Sequence, residues 1–394
     1  MSLHPTSQYL VDSIERLTSL DGRFEKMKLV NYDSATDVQR GCFSLVFRAL
    51  DTSAGQYVAL KFYDPNRAMD SYRMDCFHRE FEILKSLKNA EGCLQLASGL
   101  SEYQLSVTPA GGQPFAFPCK YFAIDWIADE IDQYFLCQES FDAVEKLKLF
   151  SGIVRAVHAL HRREVFHRDL KPDNLRQHRV NRQSLVVPID MGTAAKAESP
   201  NLLSDYSGSV GASGYAAPEA RCGLAGDRVI ARYTDYYALG CMLFELFNSD
   251  HYFMAHQLLN ANASVLLAAL TSCLDPGAGN ELRRKQWCGA LDRFNRAFAS
   301  VAIDGPGSDV PPAIAPLLSE LVQTLTHVDY RARPKDIQWV QLRLSSCIRA
   351  LENERLYQMR LQQVRDERSR RLARAAAKEE RLKMKLAQKK VSIC

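Results

Sequence analysis

His167-Arg168-Asp169-Leu170-Lys171-Pro172-Asp173-Asn174 is the stretch on which the reading of this chain turns. Four charged side chains in eight residues repel one another or demand costly burial unless something bound to them compensates. Within this stretch stand a carboxylate at Asp169, an ammonium at Lys171 two residues on and the Asn174 amide five residues on, a concentration of polar chemistry that marks a candidate site. Sixteen residues beyond Asn174, the apolar run Leu185-Val186-Val187-Pro188-Ile189 leads into Asp190-Met191-Gly192. An Asp-x-Gly triplet alone reads as a turn. Directly after such a strand, and so soon after His167–Asn174, it is a stronger signal and sets a second carboxylate, Asp190, beside that segment in sequence.

Toward the N-terminus the pattern is that of strands. Ser44–Leu50 and Gln56–Tyr63 flank the turn Asp51-Thr52-Ser53-Ala54-Gly55, and the second strand carries Val58-Ala59-Leu60-Lys61. Cys76–Leu87 has helical spacing, with Phe77, Phe81, Leu84 and Leu87 on one face. It places Glu80 nineteen residues after Lys61. Glu82 is the rival acid; about 200° around the helix from Glu80, it faces solvent. Residues 106–118 are rich in Gly and Pro and read as a loop, and Lys120–Ile127 as an apolar strand. Farther on, helical patterns take over at Val144–His161 and Asp235–Phe247, with a Gly/Pro loop over 304–312. No internal repeat is present. Before all of these, Tyr9–Leu17 is a short amphipathic lead-in. The order is a small strand-rich unit followed by a larger helix-rich one.

Composition excludes several classes. The chain has 394 residues, 46% of them hydrophobic, ample for a buried core. Eleven cysteines form no Cys-x-x-Cys pair and no zinc-spaced cluster, so they read as reduced thiols and the expected location is cytoplasmic. No apolar run reaches the length of a membrane span, the start lacks a signal-peptide pattern, and the terminal Val-Ser-Ile-Cys does not indicate prenylation. Net charge is +4, but residues 355–390 hold thirteen Arg or Lys against four acids, a local +9 that leaves the remainder at −5. This tail, 351–390, lacks Gly and Pro and favours a helix. Its apolar positions recur loosely, without a strict heptad seam. Three readings stay open: a solvated charged helix, a weak coiled coil that binds a partner or a second copy, or contact with anionic lipid or nucleic acid.

Taken together, the motifs resemble the eukaryotic-type protein kinase family, serine/threonine branch, over roughly residues 24–350. The resemblance implies an α+β, bilobal protein-kinase-like fold: a small antiparallel five-stranded sheet with one main helix over a mainly α-helical lobe, with ATP and Mg²⁺ (or Mn²⁺) in the cleft. The implied layout is an extension over 1–23, an N-lobe over 24–127, a C-lobe over 128–350 and the basic tail over 351–394. By the same resemblance Asp169 is the catalytic base, with Lys171 beside it. Lys61 holds the α- and β-phosphates and Glu80 holds Lys61. Asn174 and Asp190 bind the metal, and Met191 packs against the helix of Glu80. The phosphate loop aligns with Gln39–Val46, where Gly41 is the one glycine of three retained. Phe43 caps its tip, and Val46 and Ala59 roof the adenine. Ile124 stands at the gatekeeper position, and Asp125 and Ile127 give backbone contacts to adenine. Glu219, in Gly211-Ala212-Ser213-Gly214-Tyr215-Ala216-Ala217-Pro218-Glu219, pairs with Arg333, and Asp235 props the catalytic loop. Arg168 is a docking point for an activation-loop phosphate on Ser204, Ser207 or Ser209.

Lys171 is the serine/threonine form of the loop, so the implied partners are proteins bearing Ser or Thr. Two departures stand out: the thin glycine loop, and Ala212 where such kinases carry Thr. Both leave open a pseudokinase, a scaffold with the fold but without transfer. A small-molecule kinase of the aminoglycoside or choline type lacks both Arg-Asp-Leu-Lys-Pro and Ala-Pro-Glu, and both are present here.

Overall fold

The computed structural model describes residues 3–33, 38–39, 44–107, 113, 115–180, 183–197, 211–294 and 297–391. It is bilobal and α+β. The small lobe opens with α1 (Pro5–Arg16), whose first turn has Pro5 at its start and the His4 ring accepting from the Thr6 N–H. The strands follow: β1 (Ser19–Leu20), β2 (Phe24–Leu29), a short hairpin of β3 (Tyr32–Asp33) and β4 (Val38–Gln39), β5 (Ser44–Asp51) and β6 (Gln56–Tyr63). After α2 (Ser71–Ser86) come β7 (Ser101–Val107) and β8 (Phe115–Asp125). The main sheet is antiparallel in the order β1-β2-β5-β6-β8-β7. It has six strands where five were expected; the sixth is β1, a two-residue partner of β2.

The β5–β6 hairpin is tight because Gly55, at φ +67°, closes the turn with its N–H on Asp51 O at 2.8 Å. Asp51 is buried, and Arg23 donates to both its carboxylate oxygens at 2.9 and 2.6 Å, which ties the turn to β2. The expected 106–118 loop is shorter than its composition suggests, since β7 runs to Val107 and β8 starts at Phe115. Pro118 is tolerated in β8 because β6 pairs only with Tyr121–Asp125, so at Pro118 the strand has β7 as its one neighbour.

Both sheet faces are covered. On one, Leu10, Val11 and Ile14 of α1 pack on Phe24, Met27, Leu45, Phe47, Phe62 and Tyr121. On the other, Phe77, Ile83 and Leu84 of α2 pack on Ala59, Phe122 and Ile124. The segment read as an extension therefore contributes a helix and a strand to the small lobe. The helix α2 begins at Ser71, five residues before Cys76, because the Asp70 carboxylate caps the Arg73 N–H at 3.1 Å.

The large lobe contains β9 (Asp129–Glu130), α3 (Gln133–Leu136), α4 (Ala143–His161), β10 (Val165–Phe166), β11 (Leu175–Val180), β12 (Gln183–Pro188) and β13 (Ala195–Lys196). After these come α5 (Pro218–Arg221), α6 (Ala231–Glu245), α7 (Tyr252–Leu259), α8 (Ala263–Ser272), α9 (Asn280–Phe294), α10 (Ala315–Leu325) and α11 (Gln338–Val391). A capping box of Asp142 and Glu145 starts α4. Thirteen of the fifteen residues of α6 are buried, as its apolar composition on every side requires. At Gly240 the neighbouring α10 passes so close that a Cβ would stand 2.5 Å from the Thr326 methyl. The basic tail is not a separate element: it continues α11, a 54-residue helix whose first turns lie on α4 through Gln341 and Ser151. Among the described residues no single helix is long and apolar enough to cross a membrane.

Candidate active site

Strand β6 points Lys61 inward between the sheet and α2. Its Nζ donates to Glu80 Oε1 and Oε2 at 2.8 and 2.7 Å and to Asp190 Oδ1 at 2.9 Å. Glu80 also accepts the Met191 N–H at 3.2 Å. One ammonium thus joins the strand, the helix and the Asp-Met-Gly triplet. Glu80 is fully buried, while the Asp190 side chain keeps 35% of its surface open toward the cleft. Glu82 faces outward, 3.7 Å from Lys85. Met191 is buried in the same apolar cluster as Phe77, Ile83 and Leu84 of α2.

The charges in this trio work against one another. Burial pushes the Glu80 carboxyl above its ordinary range, and the Lys61 charge and hydrogen bonds oppose the shift only in part. Burial would lower Lys61, but Asp190 and Glu80 together raise it. Burial would raise Asp190, but Lys61 holds it below the usual range, which keeps it ionised. Of the two carboxylates around this ammonium, Asp190 is the one with exposed surface.

The loop His167–Asn174 is held by its backbone. Asp235 of α6 accepts from His167 N at 2.9 Å, Arg168 N at 2.7 Å and His161 Nε2 at 2.7 Å. These bonds hold Arg168 in the left-handed conformation, at φ +63°. His167 Nε2 lies 2.9 Å from Ile189 O, which locks the loop to the end of β12. Asp169 then accepts from two donors: Asn174 Nδ2 at 3.1 Å and the Ala212 N–H at 2.6 Å. The Asn174 amide nitrogen also donates to Asp169 O at 2.9 Å, so its oxygen is the atom left for a cation.

Gly211 is required where it stands. Its φ is +89°, and a Cβ would lie 2.5 Å from Arg168 O. Burial raises the Asp169 pKa above the ordinary range; Lys171, the Ala212 N–H and His167 oppose that, and Asp190 is near enough to add to it. Lys171 stands at the loop surface, 4.0 Å from Asp173. A small pocket lies against Asp169, walled by Gly211, Ala212, Tyr215, Ala216 and Ala217.

Of the residues implied for the nucleotide, Gly41 and Phe43, with Cys42 between them, lie outside the described residues, as do Ser204, Ser207 and Ser209. Val46 and Ile127 pack, partly exposed, against the cluster holding Ala59 and Ile124, and Ala59 faces Ile124 across the β6–β8 pair. The Asp125 N–H donates to Gln95 O at 3.1 Å, so an adenine contact there falls to its carbonyl. Glu219 and Arg333 meet in a fully buried, two-bond pair at 2.6 and 3.0 Å.

Three groups escaped the motif reading. The backbone N–H of Ala212 has no residue-type signal. His161 lies outside every motif. Arg79 was visible only as the residue before Glu80; it is buried and donates to Gly192 O at 3.3 Å.

The donor set fits Mg²⁺. It consists of hard oxygen atoms on Asp190 and Asn174, and among the described residues no group of three or more His, Cys, Asp or Glu could cage a metal alone. Such a cation is held by one or two carboxylates together with substrate phosphates.

A six-stranded antiparallel sheet carrying a buried lysine, set over a mainly helical lobe, defines a bilobal kinase-like fold. The protein kinase domain model matches residues 32–341, and the chain belongs to the protein kinase family. It is 26% identical over 211 residues to the probable serine/threonine-protein kinase PknB of Bifidobacterium longum, covering 53% of this chain and 29% of that protein. It is 23% identical over 314 residues to human cyclin-dependent kinase-like 2, covering 77% and 55%. Against the carbon catabolite-derepressing protein kinase of Saccharomyces cerevisiae it is 25% identical over 268 residues, covering 67% and 38%. The chain therefore spans about a third to a half of the length of these relatives.

Proposed function

We propose that this chain transfers the γ-phosphate of ATP to serine or threonine hydroxyls of protein substrates. The observation that carries the reading is the Lys61 ammonium held between Glu80 and Asp190 at 2.7–2.9 Å. This is the arrangement that positions a triphosphate beside a metal-binding carboxylate. Lys61 orients the α- and β-phosphates. Asp190 and the Asn174 amide oxygen hold Mg²⁺, which when bound supplies charge neutralisation for the phosphates. Asp169, aimed by Asn174 and the Ala212 N–H, orients the acceptor hydroxyl and accepts its proton, and Lys171 offsets charge on the transferring group. Val46 and Ala59 cover the adenine, with backbone contacts from Asp125 and Ile127. A reducing, cytoplasmic setting suits the nine described cysteines, all free thiols.

The test is transfer of labelled γ-phosphate to a generic basic protein by the wild type and by Asp190→Asn and Asp169→Asn. Transfer by the wild type, lost in both variants, supports the reading. Equal background in all three favours the second reading, a kinase-fold scaffold, which the Ala212 departure motivates.

Regulation follows from Arg168. Its guanidinium donates to Thr193 O and Ala225 O, and burial with Arg79 nearby lowers its pKa to about 10. Two buried cations side by side favour an added anion. The reading is that a phosphate on Ser204, Ser207 or Ser209 docks there, and mass spectrometry of active protein without phosphate at any of the three would remove it.

A further inference from the structure

We propose that α1 is a positioning element for α2: docked through Ser7 on Asp64, it fixes the junction between the strand that carries Lys61 and the helix that carries Glu80, and its release loosens their pairing. The consequence for nucleotide rests on the function proposed above; the coupling itself does not.

The contact is buried on both sides. Ser7, in the first turn of α1, is 1% exposed and Asp64 4%. The Ser7 hydroxyl donates to Asp64 Oδ1 at 2.6 Å, across 57 positions of sequence. The same oxygen accepts the Asn66 N–H at 3.0 Å. A buried carboxylate deprived of a donor costs free energy, so Asp64 stabilises the docked state of α1.

Asp64 is the first residue after β6 and stands three positions past Lys61. It caps the short turn Pro65–Arg67, and its carbonyl accepts the Arg67 N–H at 2.8 Å. The Tyr63 hydroxyl ties down the other end of that turn, donating to Arg67 O at 2.6 Å with Asp70 O 3.1 Å away. Asp70 is the residue whose carboxylate caps α2. Tyr63 also meets Phe77 of α2 edge to face, with ring centres 5.6 Å apart. A continuous run of hydrogen bonds and packed rings thus leads from Ser7 to the first turns of the helix that holds Glu80.

Strand alternation gives a second connection. Phe62 packs in the cluster of Leu10, Val11 and Ile14, while its neighbour Tyr63 packs in the cluster of α2. Strand β6 is held between the two helices, so movement of either is felt at Lys61. Terminal elements open at lower free energy than a core, so α1 can undock while the large lobe stays folded.

The test is hydrogen exchange of the full chain, read at the amides of α2 and, as an internal control, at those of α6. Ser7→Asp sets a second carboxylate against Asp64 in a site closed to water, where like charges repel strongly. It should speed exchange across α2 by at least about tenfold and leave α6 unchanged. Affinity for ATP with magnesium, from a nucleotide titration, should fall by at least about fivefold, the low end of coupling between two sites of one protein. In S7D/D64N the introduced amide can donate to the introduced carboxylate and keep its oxygen for the Asn66 N–H, so both readouts should return toward wild type. Where Ser7→Asp does not fold, Ser7→Ala removes the bond without adding charge and should shift both readouts in the same direction by less. Unchanged exchange in α2 while α1 itself exchanges faster overturns the proposal, since α1 is then only a cover for the sheet. So does a double variant no better than Ser7→Asp, or protection lost equally in α6, which means global unfolding. Faster exchange in α2 with ATP affinity unmoved upholds the coupling and counts against the nucleotide role given to Lys61 and Glu80.

Discussion

Replacing Arg333 by Leu removes the cation from a carboxylate with no access to water. Glu219 and Arg333 are both fully buried and share two charge-assisted bonds, at 2.6 and 3.0 Å. The guanidinium also donates to His327 O at 2.9 Å and to Tyr233 O at 2.8 Å, and it stacks 5.0 Å from the Tyr237 ring centre. A buried pair broken on one side costs about 3–5 kcal/mol, because the surviving charge is left uncompensated. A typical domain is stable by only about 5–15 kcal/mol, so Arg333→Leu should lose a large share of folding stability. In a lobe of this size the melting point should fall by about 2–4 °C per kcal/mol, or roughly 6–20 °C in total. Adding Glu219→Gln removes the stranded charge, and the double variant should be more stable than Arg333→Leu alone. Thermal unfolding of the three chains at pH 7 measures this. A loss below about 1 kcal/mol, or a double variant costing the plain sum of the two singles, would refute the argument that the buried charge dominates.

Three further outcomes follow from the same geometry. Gly211→Ala forces a Cβ to 2.5 Å from Arg168 O at a positive φ, so it should cut kcat by more than about tenfold while leaving ATP affinity near wild type, as read by steady-state kinetics and nucleotide titration. Because burial raises Asp169 and only its ionised form accepts a proton, transfer should fall as pH drops through a value above the ordinary aspartate range, and a pH–rate profile locates that limb. Ile14→Ala removes a fully buried side chain from the interface of α1 with the sheet and should cost about 2–4 kcal/mol in a urea titration, whereas a dispensable extension would show no change.

The segment His167–Asn174, Lys61 and Asp190 could be singled out because the family's motifs set particular side chains at short, rigid spacings, and local sequence records such spacings directly. Glu80 over Glu82 was legible for the same reason: a helix turns by a known angle per residue. The start of α2 was misplaced because Asp70 as a cap is a hydrogen-bonding fact, and the apolar periodicity begins five residues later. The extent of β8 was misjudged because Gly and Pro mark turns only where the neighbouring strand does not impose pairing, and β7 does impose it. Ala212 looked like a bare departure from the family pattern. Its role as a donor to Asp169 belongs to the backbone, which residue type does not reveal.

Sequence alone indicated the protein kinase family and the two-part architecture, and it singled out Lys61 and Glu80, which the structure pairs, and Asp169 and Asn174, which it hydrogen-bonds. It did so because each depends on composition or on separations within one element. Tertiary structure decided that Lys61 reaches Asp190, 129 residues away, as well as Glu80. It also decided that α1 is a wall of the small lobe and that the basic tail continues a helix of the large lobe. Those outcomes depend on which surfaces meet when separate elements pack, and packing is a property of the whole chain.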